Sequence, residues 1–116
     1  MLKKNNRLQK QRDFQKVFKL SKPVYSGHLY LRAAQNPNSQ TLTRFGFIIS
    51  NKIDKRATRR NFLRRQLRAL ILDNLSEIKG GLDIIIGIKE AYSGDRVRED
   101  IKKDLTCGLS RIGAIK

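Results

Sequence analysis

Acidic residues are scarce in this 116-residue chain: ten Asp and Glu stand against 26 Lys and Arg, a net charge of +16. A compact state so far from neutral repels itself unless something anionic is bound. Cysteine is almost missing as well. Cys107 has no partner in the chain and there is no CxxC, which excludes a disulfide-stapled secreted module and a zinc or redox pair. Long apolar runs are absent too. The longest, residues 84–88, falls far below the roughly 20 residues of a membrane helix, so no membrane role is expected. No internal repeat and no Gly/Ser/Pro-rich linker divides the chain. Its length and 39% apolar content predict one domain over residues 1–116, with a modest core, and exclude a merely disordered basic tail. What remains is a small protein of a reduced compartment, the cytoplasm, whose partner is acidic: nucleic acid first.

The positive charge is clustered. Residues 1–22 hold eight basic residues and one acid, and residues 52–68 hold eight and one, each a net +7. Residues 89–104 hold five of each sign and sum to zero. Solvated helix faces also produce charge runs. Two blocks of one sign in so short a chain favour a polyphosphate, because each neutralised phosphate releases condensed counterions. The first block lacks the apolar centre of a secretory peptide. A mitochondrial transit peptide competes better, but no Ser occurs before Ser21 and the aromatic spacing fits a folded helix.

Phe14, Val17 and Phe18 recur at i, i+3 and i+4, predicting a helix over Arg12 to Lys19 that Pro23 stops. Gly27 to Ala34 alternates, Leu29 and Leu31 against Tyr30 and Arg32, as a half-buried strand does. Asn36 to Ser39 is a turn cluster. Thr43 to Ser50 reads as a strand in which Gly46 marks a bulge or a close approach, and a further short strand is expected near Arg44 or Ser50. A long helix follows from about Arg56 to Leu75, with Leu63, Leu67, Leu70 and Ile71 on its core face. Asp83 to Ile88 reads as a buried strand. Asp95 to Leu109 reads as a helix with Val97, Ile101, Leu105 and Leu109 in one stripe and Cys107 beside it as a small core residue. The order describes an open sheet with helices packed on it, an α/β protein.

On the long helix, Asn61, Arg64, Arg65 and Arg68 span an arc of about 100° flanking the leucines, with Arg59 and Arg60 in the first turn. Guanidinium forks suit phosphates, and few acids lie nearby to neutralise them. Charge alone does not choose between DNA and RNA. An arginine helix fits a DNA major groove, whereas A-form RNA offers its backbone shape instead. Phe14, Phe18 and Tyr30 offer faces for single-strand stacking. Periodicity alone puts both phenylalanines in the core, with Phe18 able to serve both roles.

The segment GFIISNKIDKRATRRNFLRRQLR resembles the signature of the bacterial ribonuclease P protein family. That signature runs Gly, a β run, Ser-Lys-Lys, then Ala-x-x-Arg-Asn-Arg-x-Lys-Arg-x-Leu-Arg. Ala57, Arg60, Asn61, Arg64, Arg65, Leu67 and Arg68 sit at matching spacing. RLQKQRDFQKVFK and the stretch from Gly81 through Asp83 to Ile86 extend the likeness over most of the chain. Phe62 replaces the family's second Arg, Ser50-Asn51-Lys52 loses one lysine, and Arg32 takes the place of a common strand aromatic.

The resemblance implies an α+β sandwich of ribosomal-protein-like fold, α-β-β-β-α-β-α, with a left-handed β-α-β crossover against the usual right-handed rule. It implies a protein subunit that helps remove the 5′ leader of precursor tRNA. The catalytic RNA would perform the chemistry with Mg²⁺, bound mainly by RNA and substrate, and the protein would use no small-molecule cofactor. Arg56, Arg59, Arg60, Asn61, Arg64, Arg65 and Arg68 would bind the catalytic RNA. Phe14, Phe18, Tyr30, Arg32, Lys52 and Lys89 would line the leader path. No catalytic residue and no metal site is expected in the protein. Unaided RNA cleavage needs a paired acid and base, and His28 stands alone. Asp95, Glu99, Asp100 and Asp104 interleave with bases and read as helix salt bridges. Two alternatives remain: a ribosomal-type RNA-binding protein without enzymatic function, and a nuclease acting alone.

Overall fold

The structure, a computed structural model, describes residues 6–8, 10–36 and 42–115. Its elements are α1 (Gln11–Leu20), β1 (Val24–Ser26), β2 (Leu29–Gln35), β3 (Arg44–Ile48), α2 (Ala57–Asp73), β4 (Leu82–Ile88) and α3 (Val97–Arg111), with a 3₁₀ turn at Leu75–Glu77. The four strands form one sheet in the order β1-β2-β4-β3. β2 pairs antiparallel with β1 and β4, and β3 runs parallel to β4, joined to it through α2.

Alternation in β2 and β4 assigns the two faces. Leu29, Leu31, Ile84, Ile86 and Ile88 join Leu63, Leu67, Leu70 and Ile71 of α2 and Val97, Ile101, Leu105 and Leu109 of α3 in the larger core. On the other face Ile85 packs with Val17 of α1 and with Leu8, beside Phe14, Ala34 and Ile48. One helix therefore covers one face and two helices cover the other. The Leu8 amide donates to the Phe45 carbonyl at 2.8 Å, so the entering chain covers the free edge of β3.

Several expectations shift. The extra short strand lies at Val24–Ser26, before β2, and Gly27-His28 is its hairpin turn rather than the start of a strand. Three residues are too few for alternation to show. Gly46 is a close approach, not a bulge: the β3–β4 register runs unbroken, and a Cβ there would stand 2.4 Å from the Phe14 ring. Cys107 is exposed, on the side of α3 away from its apolar stripe. Of the Asn36–Ser39 turn, only Asn36 lies within the described residues.

Candidate nucleic-acid interface

Because the leucines of α2 are buried, its other side must face outward. Thr58, Asn61, Arg64, Arg65 and Arg68 line a groove of about 500 Å³ there. Arg64 donates to the Asn61 side-chain oxygen at 3.1 Å. Among the described residues, ion pairs within 4 Å join Arg44 to Asp13 and Asp83, Arg56 to Asp54, and Lys89 to Glu90; none engages Arg59, Arg60, Arg64, Arg65 or Arg68. Arg60 turns back to the carbonyls of Asp54 and Lys55 at 2.9 and 3.0 Å, tying down the loop before the helix. Phe62, in place of the family's arginine, packs against the core and holds the Arg59 guanidinium 4.9 Å from its ring centre.

The arginine face continues around the edge of β3. Arg64 and Arg68 meet Arg7, with Phe14 and Phe47, about a second cavity of about 180 Å³. The Nε atoms of Arg7 and Arg68 are buried without a hydrogen-bond partner. Burial, then the charges of Arg64 and Arg7, push the Arg68 pKa below its usual value. Like charges held this close gain from an anion among them. Sequence reading missed Arg7 as a site residue, because its approach to Arg68 depends on the bridge between Arg7 and Phe45.

The sheet face under α1 carries the aromatic groups. Tyr25, Tyr30, Gly87 and Ile48 form one row across all four strands, and Arg32, Ile85 and Gly46 form the next. A Cβ on Gly87 would lie 2.0 Å from the Tyr30 ring, so only glycine lets that ring lie across β4. Burial raises the Tyr30 pKa and keeps the phenol neutral. Phe14 lies over Gly46, and Phe18 is 40% exposed. Arg32 donates to the Ser21 carbonyl at 2.8 Å and to that of Phe18 at 3.4 Å, with its guanidinium 4.9 Å from the Phe18 ring centre. It thus fastens the end of α1 to β2. Lys52 follows β3 and Lys89 follows β4, and since these strands are parallel both lysines stand at one end of the sheet. The Lys89 ammonium lies 4.8 Å from the centre of the Tyr25 ring, a residue that sequence reading passed over.

The acids of α3 lie on the opposite face, and the ion pairs among the described residues do not include them. Instead of a helix salt bridge, Asp104 accepts from the Tyr92 hydroxyl at 2.6 Å and from the His28 amide at 3.1 Å. His28 stacks on Tyr92 at 4.7 Å, and its Nδ1 lies 3.0 Å from the Ala91 carbonyl. These partners make His28 and Asp104 a structural clasp. Among the described residues no three His, Cys, Asp or Glu side chains converge to hold a metal ion. No helix among them is long and apolar enough to cross a membrane.

An α+β sheet with unneutralised arginines on one helix and aromatic rings beside another defines a nucleic-acid-binding protein. The family model for Ribonuclease P matches residues 2–113. The chain belongs to the ribonuclease P protein family. It is 35% identical over 99 residues to the ribonuclease P protein component of Pseudanabaena, covering 85% of this chain and 84% of that one. It is likewise 35% identical over 108 residues to that of Fusobacterium nucleatum, covering 92% and 93%. Among solved structures, a Staphylococcus aureus RNase P protein mutant with defective mRNA degradation activity superposes with a TM-score of 0.84 at 23% identity, over 97% of this chain and 92% of that one. The RNase P protein of Thermotoga maritima gives 0.72 at 26%, over 90% and 96%. Membership makes the chain a protein component of the ribonuclease P ribonucleoprotein, with the RNase P RNA as its partner, and sets aside the ribosomal-type alternative.

Proposed function

We propose that this subunit binds the catalytic RNA through α2 and the 5′ leader of precursor tRNA across the sheet face beside α1, assisting endonucleolytic removal of the leader. The observation that carries this reading is the pairing of two unlike surfaces on one small domain. Arg59, Arg64, Arg65 and Arg68, free of acid partners within 4 Å among the described residues, suit the closely spaced phosphates of a folded RNA. Arg56, Arg60 and Asn61 complete that surface at the helix start. Phe14, Phe18 and Tyr30 offer ring faces to unpaired bases, while Arg32, Lys52 and Lys89 flank them with positive charge.

Bond breaking belongs to the RNA. Asp83 is engaged by Arg44 and Asn36, and Asp104 by Tyr92, so neither carboxylate is free to hold Mg²⁺. Mg²⁺ is held by RNA and substrate phosphates, and the protein lowers the Mg²⁺ needed by adding fixed positive charge beside them. The assembly works in the bacterial cytoplasm. The test reconstitutes the chain with its cognate RNase P RNA and measures precursor tRNA cleavage at low Mg²⁺. A rate gain at low Mg²⁺ is expected, together with tighter binding of leader-bearing precursor than of mature tRNA. No gain, or cleavage by the protein without RNA, overturns the reading.

A further inference from the structure

We infer that Tyr25 and Lys89 form an outer subsite for one more leader nucleotide, a base stacking on Tyr25 with its phosphate at Lys89. The inference rests on the leader-binding reading above. Tyr25 is the direct cross-strand partner of Tyr30, so both side chains leave the sheet on the same face. It is 54% exposed, more than any other aromatic residue on that face, and stands on the edge strand. Its backbone carbonyl accepts from Arg111 at 2.6 Å, which fixes the strand from the α3 side and leaves the ring to the other. The Lys89 ammonium, 4.8 Å from the ring centre, pairs only loosely with Glu90 at 3.9 Å. An exposed pair of that kind yields readily to a phosphate.

Position in the sheet gives the subsite its order on the track. Arg64 and Arg68 of α2 reach the sheet at Phe47 of β3, and β1 is the strand farthest from β3. Three strand spacings of ~4.8 Å separate them, about 14 Å. A leader that starts beside the RNA-bound edge therefore meets Tyr30 before Tyr25. Tyr25 engages only a leader long enough to cross the sheet.

The experiment measures affinity of the reconstituted holoenzyme for precursor tRNAs whose leaders lengthen one nucleotide at a time. With Tyr25→Ala, the affinity is expected to stop rising at least one nucleotide earlier, ending about 5-fold or more below wild type on long leaders and unchanged on the shortest. Tyr25→Phe restores the full curve, because stacking needs the ring and not the hydroxyl. Lys89→Gln lowers the salt slope of leader binding by about one. If Tyr25→Ala follows the wild-type curve while Tyr30→Ala falls below it, the outer subsite is refuted and the leader path stands. If neither variant departs from wild type, both fall.

Discussion

The Arg32 guanidinium lies 4.9 Å from the Phe18 ring centre while donating to the Ser21 carbonyl at 2.8 Å, so one side chain both ends α1 and covers a face of its outermost aromatic ring. The charge on Arg32 helps to set where Phe18 sits. Arg32→Gln is therefore expected to lower thermal stability by about 1–2 kcal/mol, through the lost charged hydrogen bond and ring contact. Leader affinity falls with it while its salt slope stays within half a unit of wild type. A slope reduced by a full unit would mean that Arg32 contacts a phosphate directly.

Gly87 and Tyr30 supply a second test. An alanine methyl at position 87 collides with the far end of the Tyr30 ring, which can swing away. Gly87→Ala is expected to leave the chain folded, by circular dichroism, and to weaken binding of leader-bearing substrate relative to mature tRNA. Equal weakening of both ligands would place Tyr30 outside the leader path.

On the opposite face, Tyr92→Phe removes the hydrogen bond to Asp104. A bond to a charged group is worth about 1.5–3 kcal/mol, and that loss is expected in urea unfolding. Holoenzyme cleavage at saturating protein should not change. A drop in cleavage with unaltered stability would give this clasp a part in the reaction.

The start of α2 is sensitive to pH. Hydrogen bonds from the Arg56 side chain and amide hold the Asp54 carboxyl down to about 2. Its folded pKa is below the ordinary carboxylate value of about 3.9, so the stabilisation is present above that value. It is lost as pH falls from about 4 toward 2. Carboxyl titration by NMR should find Asp54 near 2, and distinctly higher in Arg56→Ala, which keeps the amide bond but loses the two side-chain bonds. An unchanged Asp54 midpoint in that variant would show that Arg56 does not hold it.

Much of this arrangement is legible in residue order. The spacing of Leu63, Leu67, Leu70 and Ile71 gives the buried side of α2 and hence its arginine side, and both stand in the structure. Leu29 and Leu31 alternate with Tyr30 and Arg32 as the two sheet faces require. Cys107 shows the periodicity left unused: at 100° per residue it lies about 200° from Leu105, on the solvent side. Other features have no local signal. The three residues of β1 are too short for a period. The joining of Arg7 to Arg68, the seat of Arg32 on α1 and the bond of Asp104 to Tyr92 each depend on segments brought together only by the fold. Phe62 reads in sequence as a replacement of the family's arginine, and in space it supports Arg59.

Separate RNA partners on the two surfaces can be read directly by placing a photo-crosslinking amino acid at position 30 or position 65 of the subunit in the holoenzyme with bound precursor tRNA. Position 30 is expected to label the 5′ leader and position 65 the RNase P RNA. Labelling of the same RNA from both positions, or the reverse assignment, would contradict the division of the molecule into an α2 anchor and a leader-binding sheet.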